Sequence, residues 1–294
     1  MMESLRLLAH DLALSGGLPA SFQYGFVTNA VLCALLVGPV LGSIGTMVVT
    51  KRLAFFSQAV GQAALTGVAI GILIGEPPTA PYASLFGFCV LFALALNFTK
   101  NRTRMSSDTL IGVFLSISMA IGASLLVWVA GQVNVHLVDK VLFGSILTVN
   151  DLDIAVLAVM SGLVGVVGLA RYNRMLLASF NPQLAKVRGV QVAFLDYVFV
   201  VMVTVITVAS VKIIGAMLVE ALFLIPAAAA RIWSGSMRGF FAITVAISTV
   251  STLVGILAPM EFDLPIPSGG AIILCASLFF LAATVSRLFT RHAS

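Results

Sequence analysis

Charged residues are scarce in this sequence. Asp, Glu, Lys and Arg make up 9% of its 294 residues, whereas hydrophobic residues make up 60%. A soluble domain has roughly 25% charged residues. The composition therefore excludes an ordinary water-soluble protein and predicts a chain that lies within a membrane.

Cysteine is also rare, and its placement excludes the usual cysteine frameworks. Cys33, Cys89 and Cys275 all lie within apolar tracts, at spacings unlike those of a zinc site or a disulfide framework. We expect them to pack in the interior. The pI of about 9.4 does not indicate a nucleic-acid partner, because the basic residues lie at the ends of apolar tracts, where membrane orientation explains them.

Catalytic motifs are missing as well. The sequence has no G-x-x-x-x-G-K-[ST] loop for ATP phosphates, and Val-Leu follows Asp139-Lys140 where a phosphorylated pump has Thr-Gly-Thr. It also has no His-Glu-x-x-His pair and no Gly-x-Ser-x-Gly elbow. We therefore expect a chain that neither hydrolyses ATP nor acts as an intramembrane enzyme.

Long tracts with few or no charges fill most of the chain. A helix needs about 20 apolar residues to cross a bilayer, and nine tracts approach or exceed that length. They are residues 12–50, 53–75, 77–99, 109–138, 154–170, 197–211, 213–230, 239–260 and 264–286. We predict an all-α polytopic bundle of about nine membrane helices, forming a single domain over residues 1–294. The first 25 residues are expected to be a short outer segment rather than a cleaved signal peptide.

The basic residues separate to one face when the tracts are threaded alternately through a membrane. Thirteen of the 16 Lys and Arg residues fall on that face. The positive-inside bias then predicts an outer N-terminus and a cytoplasmic C-terminus. The opposite face collects eight acids, and an acidic outer mouth would attract cations. The alternative is that acids are merely translocated more easily than bases.

Small residues recur along two tracts. They form a ridge at every fourth position of the second tract and a shorter one in the first: Ala59, Ala63, Gly67, Gly71 and Gly75, and Gly38 and Gly42. Such ridges let a neighbouring helix backbone approach closely. We therefore expect packed helices rather than independent anchors.

A basic segment from 171 to 189 carries both a start and a stop signal for a short helix. Asn181 followed by Pro182 is typical of an N-cap and a first helical position. Gly189, four residues after Ala185, is typical of a helix end. We predict a short capped helix that binds a partner; the alternative is an ordinary solvated loop.

Glu220 lies near the middle of the tract 213–230. An ionisable group at that depth is costly, so we expect it to face a cavity or a partner. Pro226 frees the carbonyl of Leu222, and Gly215 adds a flexible point, which predicts a broken helix that lines a site. The alternative is a protonated Glu that is hydrogen-bonded to a neighbouring helix.

Gln58 and Gln62 lie one turn apart on the second tract and project from the same face. Gln62 is roughly 10 Å and Glu220 roughly 15 Å from the inner ends of their tracts. The two amides could line a path or make interhelical hydrogen bonds, and both interpretations are open.

Asp196, near the inner end of its tract, is expected to snorkel or to pair with Arg188 or Lys186.

Four blocks, in order, resemble the permease subunits of bacterial zinc, manganese and iron ABC importers, the ABC-3 family. The opening block runs from residue 26 to 69 and includes a Gly-Thr-rich span that ends in the basic pair Lys51-Arg52. The other three are DTLIGVF (108–114), LFGSIL (142–147) and GAMLVEALFLIPAAAA (215–230). Residues 179–189 are also similar to the family's inner-face Asp-Pro-x-x-Ala-x-x-x-Gly motif.

The resemblance implies partners and residue roles. The inner-face motif docks on a cytoplasmic ABC ATPase, which would place Asn181, Pro182, Ala185 and Gly189 in that coupling contact. ATP and Mg would be bound by the ATPase, and no cofactor by this chain. A dimer of two copies or paralogues in the bacterial inner (plasma) membrane would form the path, and an extracytoplasmic solute-binding protein would deliver the substrate.

The sequence departs from the family at the family's metal-contacting residues. Where the second span typically reads Asp-Ala-x-x-His-Ala, this chain has Gln58 and Gln62, whose amides are neutral and weaker ligands. Glu220, where the family usually has an apolar or small residue, would return one charge. We therefore predict a path lined by Gln58, Gln62 and Glu220, in which Glu220 and Gln62 contact the metal.

The oxygen-rich stripe of Gln58, Gln62 and Glu220 favours Mn²⁺ or Fe²⁺ over Zn²⁺ as the substrate of such a permease. Loss of the family's Asp and His also leaves room for a metal chelate or another small solute. An ATP-independent channel is a further alternative, against which the capped inner segment argues.

Overall fold

The computed structural model describes residues 22, 24–77, 81–103, 105–129, 149–262, 266 and 268–292. These residues form ten helices and no strands: α1 Gly25–Thr50, α2 Phe56–Ile74, α3 Tyr82–Arg102, α4 Ser107–Val129, α5 Asp151–Phe180, α6 Pro182–Val187, α7 Val192–Ile214, α8 Ala216–Trp233, α9 Met237–Glu261 and α10 Ser268–His292. Among them, nine are long and apolar enough to cross a membrane. The prediction of an all-α bundle with about nine membrane helices is confirmed. Most of the expected outer N-terminal segment, and the block 142–147, lie outside the described residues.

Polar caps and glycines set several helix ends. α2 ends at Gly75, which has a φ of +90°, a left-handed conformation that glycine adopts without strain. The N–H of Asn150 donates to the Asp153 carboxylate at 3.2 Å as α5 begins. Ser236 caps α9 by accepting a hydrogen bond from the Gly239 N–H. The structure therefore places Gly75 at a helix terminus, not within the small-residue ridge.

The break predicted at Pro226 is absent. α8 runs unbroken through this proline, which is buried together with Ala227. The discontinuity lies instead at Gly215, which separates α7 from α8 with a φ of 87° and a ψ of 155°. Glycine tolerates such angles, whereas the packed surroundings of Pro226 hold the helix together despite one lost hydrogen bond.

Close helix contacts follow the small residues. Gly67 and Gly71 of α2 lie against the first turns of α3, at Leu85 and Ser84, whereas Gly38 and Gly42 of α1 lie against α9. At each of these glycines an added Cβ would come within 3.1 Å of a neighbouring atom. The expected close packing of both ridges is confirmed at these four positions.

The alternating helices give the bundle two chemically different ends. The basic end carries Lys51, Arg52, Lys100, Arg102, Arg171, Arg174, Lys186, Arg188, Arg231, Arg238 and Arg287. The other, which we call the acidic end, carries Glu76, Asp151, Asp153 and Glu261, with Lys212. The separation of the basic residues expected from the sequence therefore holds for the described residues, with Asp108 and Asp196 as acids at the basic end. These two names are used below.

Ion pairs tie the helices together at both ends. At the basic end the Lys51 ammonium lies 2.5 Å from Asp196 and 5.2 Å from the centre of the Phe199 ring. The expected pairing of Asp196 with Arg188 or Lys186 is wrong. α7 turns this carboxylate toward the end of α1, a contact between residues that are far apart in sequence.

At the acidic end, three helices meet in one polar cluster. Lys212 of α7 donates to Asp153 of α5 at 2.7 Å and to the Tyr82 hydroxyl of α3 at 3.0 Å. The Tyr82 hydroxyl in turn donates to Asp153. The end of α7 is thus fixed just before the Gly215 discontinuity.

Candidate functional site

The register between α2 and α8 is set by one close contact. A Cβ added to Gly61 would lie 3.0 Å from the Ala216 Cβ. α2 and α8 are the second and seventh crossings, so they run in opposite directions. One turn from this contact toward the basic end therefore leads to Gln58 on α2 and to Glu220 on α8. The structure brings these two predicted site residues to the same level.

Gln62 lies on the other side of the same contact. By the same register it is at the level of Gly215, where α7 ends and α8 begins. The last carbonyl groups of a helix have no partner within that helix, so the end of α7 adds backbone oxygens at this level. Glu220 is the fifth residue of α8, and hence nearer the acidic end than the middle of a tract 213–230 would place it.

The three side chains lie at the edge of the buried surface. Gln58, Gln62 and Glu220 are each half-buried, whereas the intervening Ala59 and Val60 are fully buried. Within the described residues, no hydrogen bond or ion pair joins any of the three side chains to another residue. Hydrogen bonding to a neighbouring helix in the described part of the chain therefore does not explain them.

The donors at this site are oxygens. Two amides, one carboxylate and nearby backbone carbonyls suit hard or borderline cations better than soft ones. No group of three or more His, Cys, Asp or Glu side chains that could hold a metal ion occurs in the described part of the chain. The described residues of one chain therefore contain no dense cluster of metal ligands at this level.

The segment after α5 forms the short capped helix that the sequence predicts. The Asn181 side chain accepts a hydrogen bond from the Leu184 N–H at 3.0 Å, and Pro182 is the first helical residue. At the other end, the Gly189 N–H donates to Lys186 and the Val190 N–H to Ala185, which is the Schellman pattern. Gly189 itself has a φ of +73°. The short helix is therefore confirmed, and its binding to a partner stays a prediction.

The two faces of α6 have different neighbours. Ala185 is fully buried against the rest of the chain, whereas Leu184 is 41% and Val187 85% exposed. Phe180, at the end of α5, is 57% exposed. The sequence interpretation included Ala185 and missed the outward-facing Leu184 and Val187. The sequence did indicate them, because they are two apolar residues three positions apart in a basic segment.

The fold defines a polytopic α-helical membrane protein. The structure is similar to that of PsaBC from Streptococcus pneumoniae in complex with Fab, with a TM-score of 0.76 and 26% sequence identity over 88% of this chain and 91% of that one. The chain belongs to the ABC 3 transport family, whose family model matches residues 23–287. It is therefore a multi-pass protein of the bacterial plasma membrane, in a family of ABC importer permeases.

Two curated relatives align with this chain over nearly their whole length. The manganese transport system membrane protein MntC of Listeria innocua is 29% identical over 89% of this chain and 90% of its own. The high-affinity zinc uptake system membrane protein ZnuB of Haemophilus influenzae is 24% identical over 88% of this chain and 96% of its own. Relatives named for two different metals thus share this fold.

Proposed function

We propose that this chain, with a second copy or a close relative, forms the path of an ATP-driven importer for a divalent transition metal, with Mn²⁺ preferred over Zn²⁺. The observation that carries the proposal is the register set by Gly61 and Ala216. It places Glu220 level with Gln58 on a half-buried face, with no partner among the described residues of the same chain.

The ligand chemistry supports the preference for manganese. Carboxylate, amide and backbone oxygens suit Mn²⁺, whereas Zn²⁺ sites in proteins are rich in imidazole and thiolate. The manganese transport system membrane protein MntC of Listeria innocua is also similar to this chain. A second copy of this chain packed on the same face would add a second carboxylate, so that two charges meet one divalent ion.

The remaining parts of the importer are proposed from the other end of the molecule. The exposed Leu184 and Val187 on α6 provide an apolar contact for a cytoplasmic ATPase, which would bind ATP and Mg itself. The basic end then faces the cytoplasm, in keeping with the positive-inside bias. A solute-binding protein would deliver the ion to the acidic end, and this chain would perform no catalysis.

Replacement of Glu220 tests the path directly. Glu220→Gln keeps the shape of the side chain and removes its charge. We expect uptake of radioactive Mn²⁺ to fall at least tenfold, which corresponds to about 1.4 kcal/mol in the barrier. The measurement uses cells that carry the complete importer, with the amount of membrane-inserted chain checked in parallel.

Asp108→Asn serves as the matched control. Asp108 is exposed in the first turn of α4 at the basic end, so this variant loses the same charge away from the path and should transport at the parental rate. If Glu220→Gln also transports at the parental rate, Glu220 is not part of the path and a metal substrate loses its main support.

A metal chelate or another small solute is the second candidate, and it is favoured by Gln58 and Gln62 in place of the family's Asp and His. In that case, Gln58→Asp combined with Gln62→His should not improve uptake of free metal. For a free-ion importer, the same double variant should shift the preference from Mn²⁺ toward Zn²⁺. Competition between the two ions in the uptake assay distinguishes the outcomes.

A further inference from the structure

A groove of about 670 Å³ opens on the surface formed by α1, α5, α7 and α9. None of its lining residues comes from α2 or α8, which carry Gln58, Gln62 and Glu220. Most of the lining is apolar, with Pro39 and Val40 on α1, Val164 on α5 and Met202 on α7. The groove is therefore separate from the proposed path.

The polar groups of the groove gather toward the basic end. They include Arg238, the second residue of α9, and Asn173 and Tyr172 on α5. The Tyr172 ring packs edge to face on Phe241, with ring centres 5.4 Å apart, so α5 and α9 meet here. No acidic side chain lines the groove, and no ion pair joins Arg238 to another described residue. Among the described residues, Arg238 is therefore an exposed cation without a counter-charge.

The length of the groove matches one leaflet of a bilayer. Its lining on α5 extends from Leu176 to Val164, which is roughly 18 Å along the helix axis. The hydrocarbon core of a bilayer is about 30 Å thick. Tyr172 and Asn173 lie within this length, and the lining on α5 beyond them is apolar for roughly 12 Å. A channel that is polar at a cationic end and apolar beyond it has the shape of a site for one acyl chain below its headgroup.

We infer that this groove binds an anionic phospholipid from the leaflet at the basic end. One acyl chain lies between α5 and α9 over α1, and the phosphate accepts hydrogen bonds from the Arg238 guanidinium. Identifying this leaflet as the cytoplasmic one rests on the proposed orientation. The binding site itself does not depend on it.

Two variants remove the two halves of the site. Gly165→Leu fills the apolar part, because Gly165 lines the groove and an added Cβ there meets no atom within 4 Å. Its control is Gly162→Leu, at a glycine of the same helix with equal free space that does not line the groove. Arg238→Gln removes the cation. Its control is Arg231→Gln, at an exposed arginine of the basic end that lies outside the groove.

The experiment measures lipid binding to the purified, assembled protein by native mass spectrometry. Dioleoylphosphatidylglycerol and dioleoylphosphatidylcholine are titrated separately. We expect the parental chain to bind phosphatidylglycerol at least fivefold more tightly than phosphatidylcholine, and Arg238→Gln to abolish that preference. Gly165→Leu should lose one bound lipid per chain, whereas both controls should bind as the parental chain does.

Three results would overturn the inference. The first is a parental chain with no preference for the anionic lipid, and the second is parental binding by both Gly165→Leu and Arg238→Gln. The third concerns a second copy as the occupant: efficient disulfide cross-linking between two chains through Gly165→Cys would show that protein, not lipid, covers the groove.

Discussion

Gly45 is the residue at which α1 approaches the backbone of α8. A Cβ added there would lie 2.5 Å from the Phe223 backbone oxygen, and backbone inside a packed helix cannot move aside as a flexible side chain can. We therefore expect Gly45→Ala to lower the free energy of unfolding by about 2 kcal/mol. Thermal unfolding of the purified chain in detergent measures this loss.

Gly112 provides the opposite case for the same substitution. It lies within α4, and an added Cβ meets no atom within 4 Å. Gly112→Ala should therefore stabilise the chain by about 0.5 kcal/mol, since alanine loses less conformational freedom in a helix. Equal shifts of the melting temperature in the two variants would show that helix propensity, rather than the contact with α8, decides the effect at Gly45.

Single residues were predictable from the sequence only where the local pattern decides their role. The cap at Asn181 and the helix end at Gly189 follow from residue type and spacing, and the structure has both. The partner of Asp196 was predicted among near neighbours in sequence, yet it is Lys51, which is 145 residues away. Sequence alone does not give the tertiary packing that brings such residues together.

The cluster of Lys212, Asp153 and Tyr82 holds the acidic ends of α7, α5 and α3 together. The Asp153 side chain is 8% exposed, so it depends on its partners for its charge. We expect Lys212→Met to destabilise the chain by about 3 kcal/mol, because the carboxylate is left buried and without a cation. Thermal unfolding in detergent again measures the change.

The double variant separates charge from packing at this cluster. Lys212→Met combined with Asp153→Asn leaves no uncompensated charge, and it should recover much of the stability that the single variant loses. If the single and double variants unfold at the same temperature, the lysine stabilises this end through its contact with the Tyr82 ring, 4.2 Å from the ammonium, and not through the ion pair.

Substitutions on the two faces of the short helix α6 should have different effects, one on binding of the ATPase and the other on stability. Val187→Asp places a charge on the exposed face, so it should weaken co-purification of the ATPase at least fivefold without changing the melting temperature of the chain. Ala185→Asp places the same charge in the buried contact with the bundle and should lower that melting temperature. The two measurements are pull-down of the ATPase and thermal unfolding.

Gln191→Asp is the control for Val187→Asp. It adds the same charge beyond α6, at the N-cap of α7, where Asp is favourable, and it should retain the ATPase. Normal co-purification of the ATPase with Val187→Asp would count against the apolar face of α6 as the docking surface.

Hydrophobic length predicted the elements well, because crossing a bilayer requires long apolar runs. It predicted the ends of the helices less accurately. α5 continues ten residues beyond the tract that ends at residue 170, since arginines interrupt a hydrophobic run without interrupting a helix. The prediction of a break at Pro226 is wrong for a related reason. The contacts that hold a helix together around a proline come from other helices, which the local sequence does not show.

The charge difference between the two ends of the whole molecule predicts its orientation. In a background in which Cys33, Cys89 and Cys275 are replaced, Asn101→Cys and Asn181→Cys should resist a membrane-impermeant thiol reagent in intact cells. Ser268→Cys, at the start of α10, should react with it. Permeabilised cells provide the control for reactivity, and labelling of Asn101→Cys in intact cells would reverse the orientation.

The half-buried stripe of Gln58, Gln62 and Glu220 also has a consequence for the cell that makes this protein. On the proposed function a second chain covers this stripe, so a chain that inserts alone would leave a carboxylate and two amides open to lipid, which is unfavourable by about 3 kcal/mol for the carboxylate alone. Orphan chains are therefore the less stable species in the membrane.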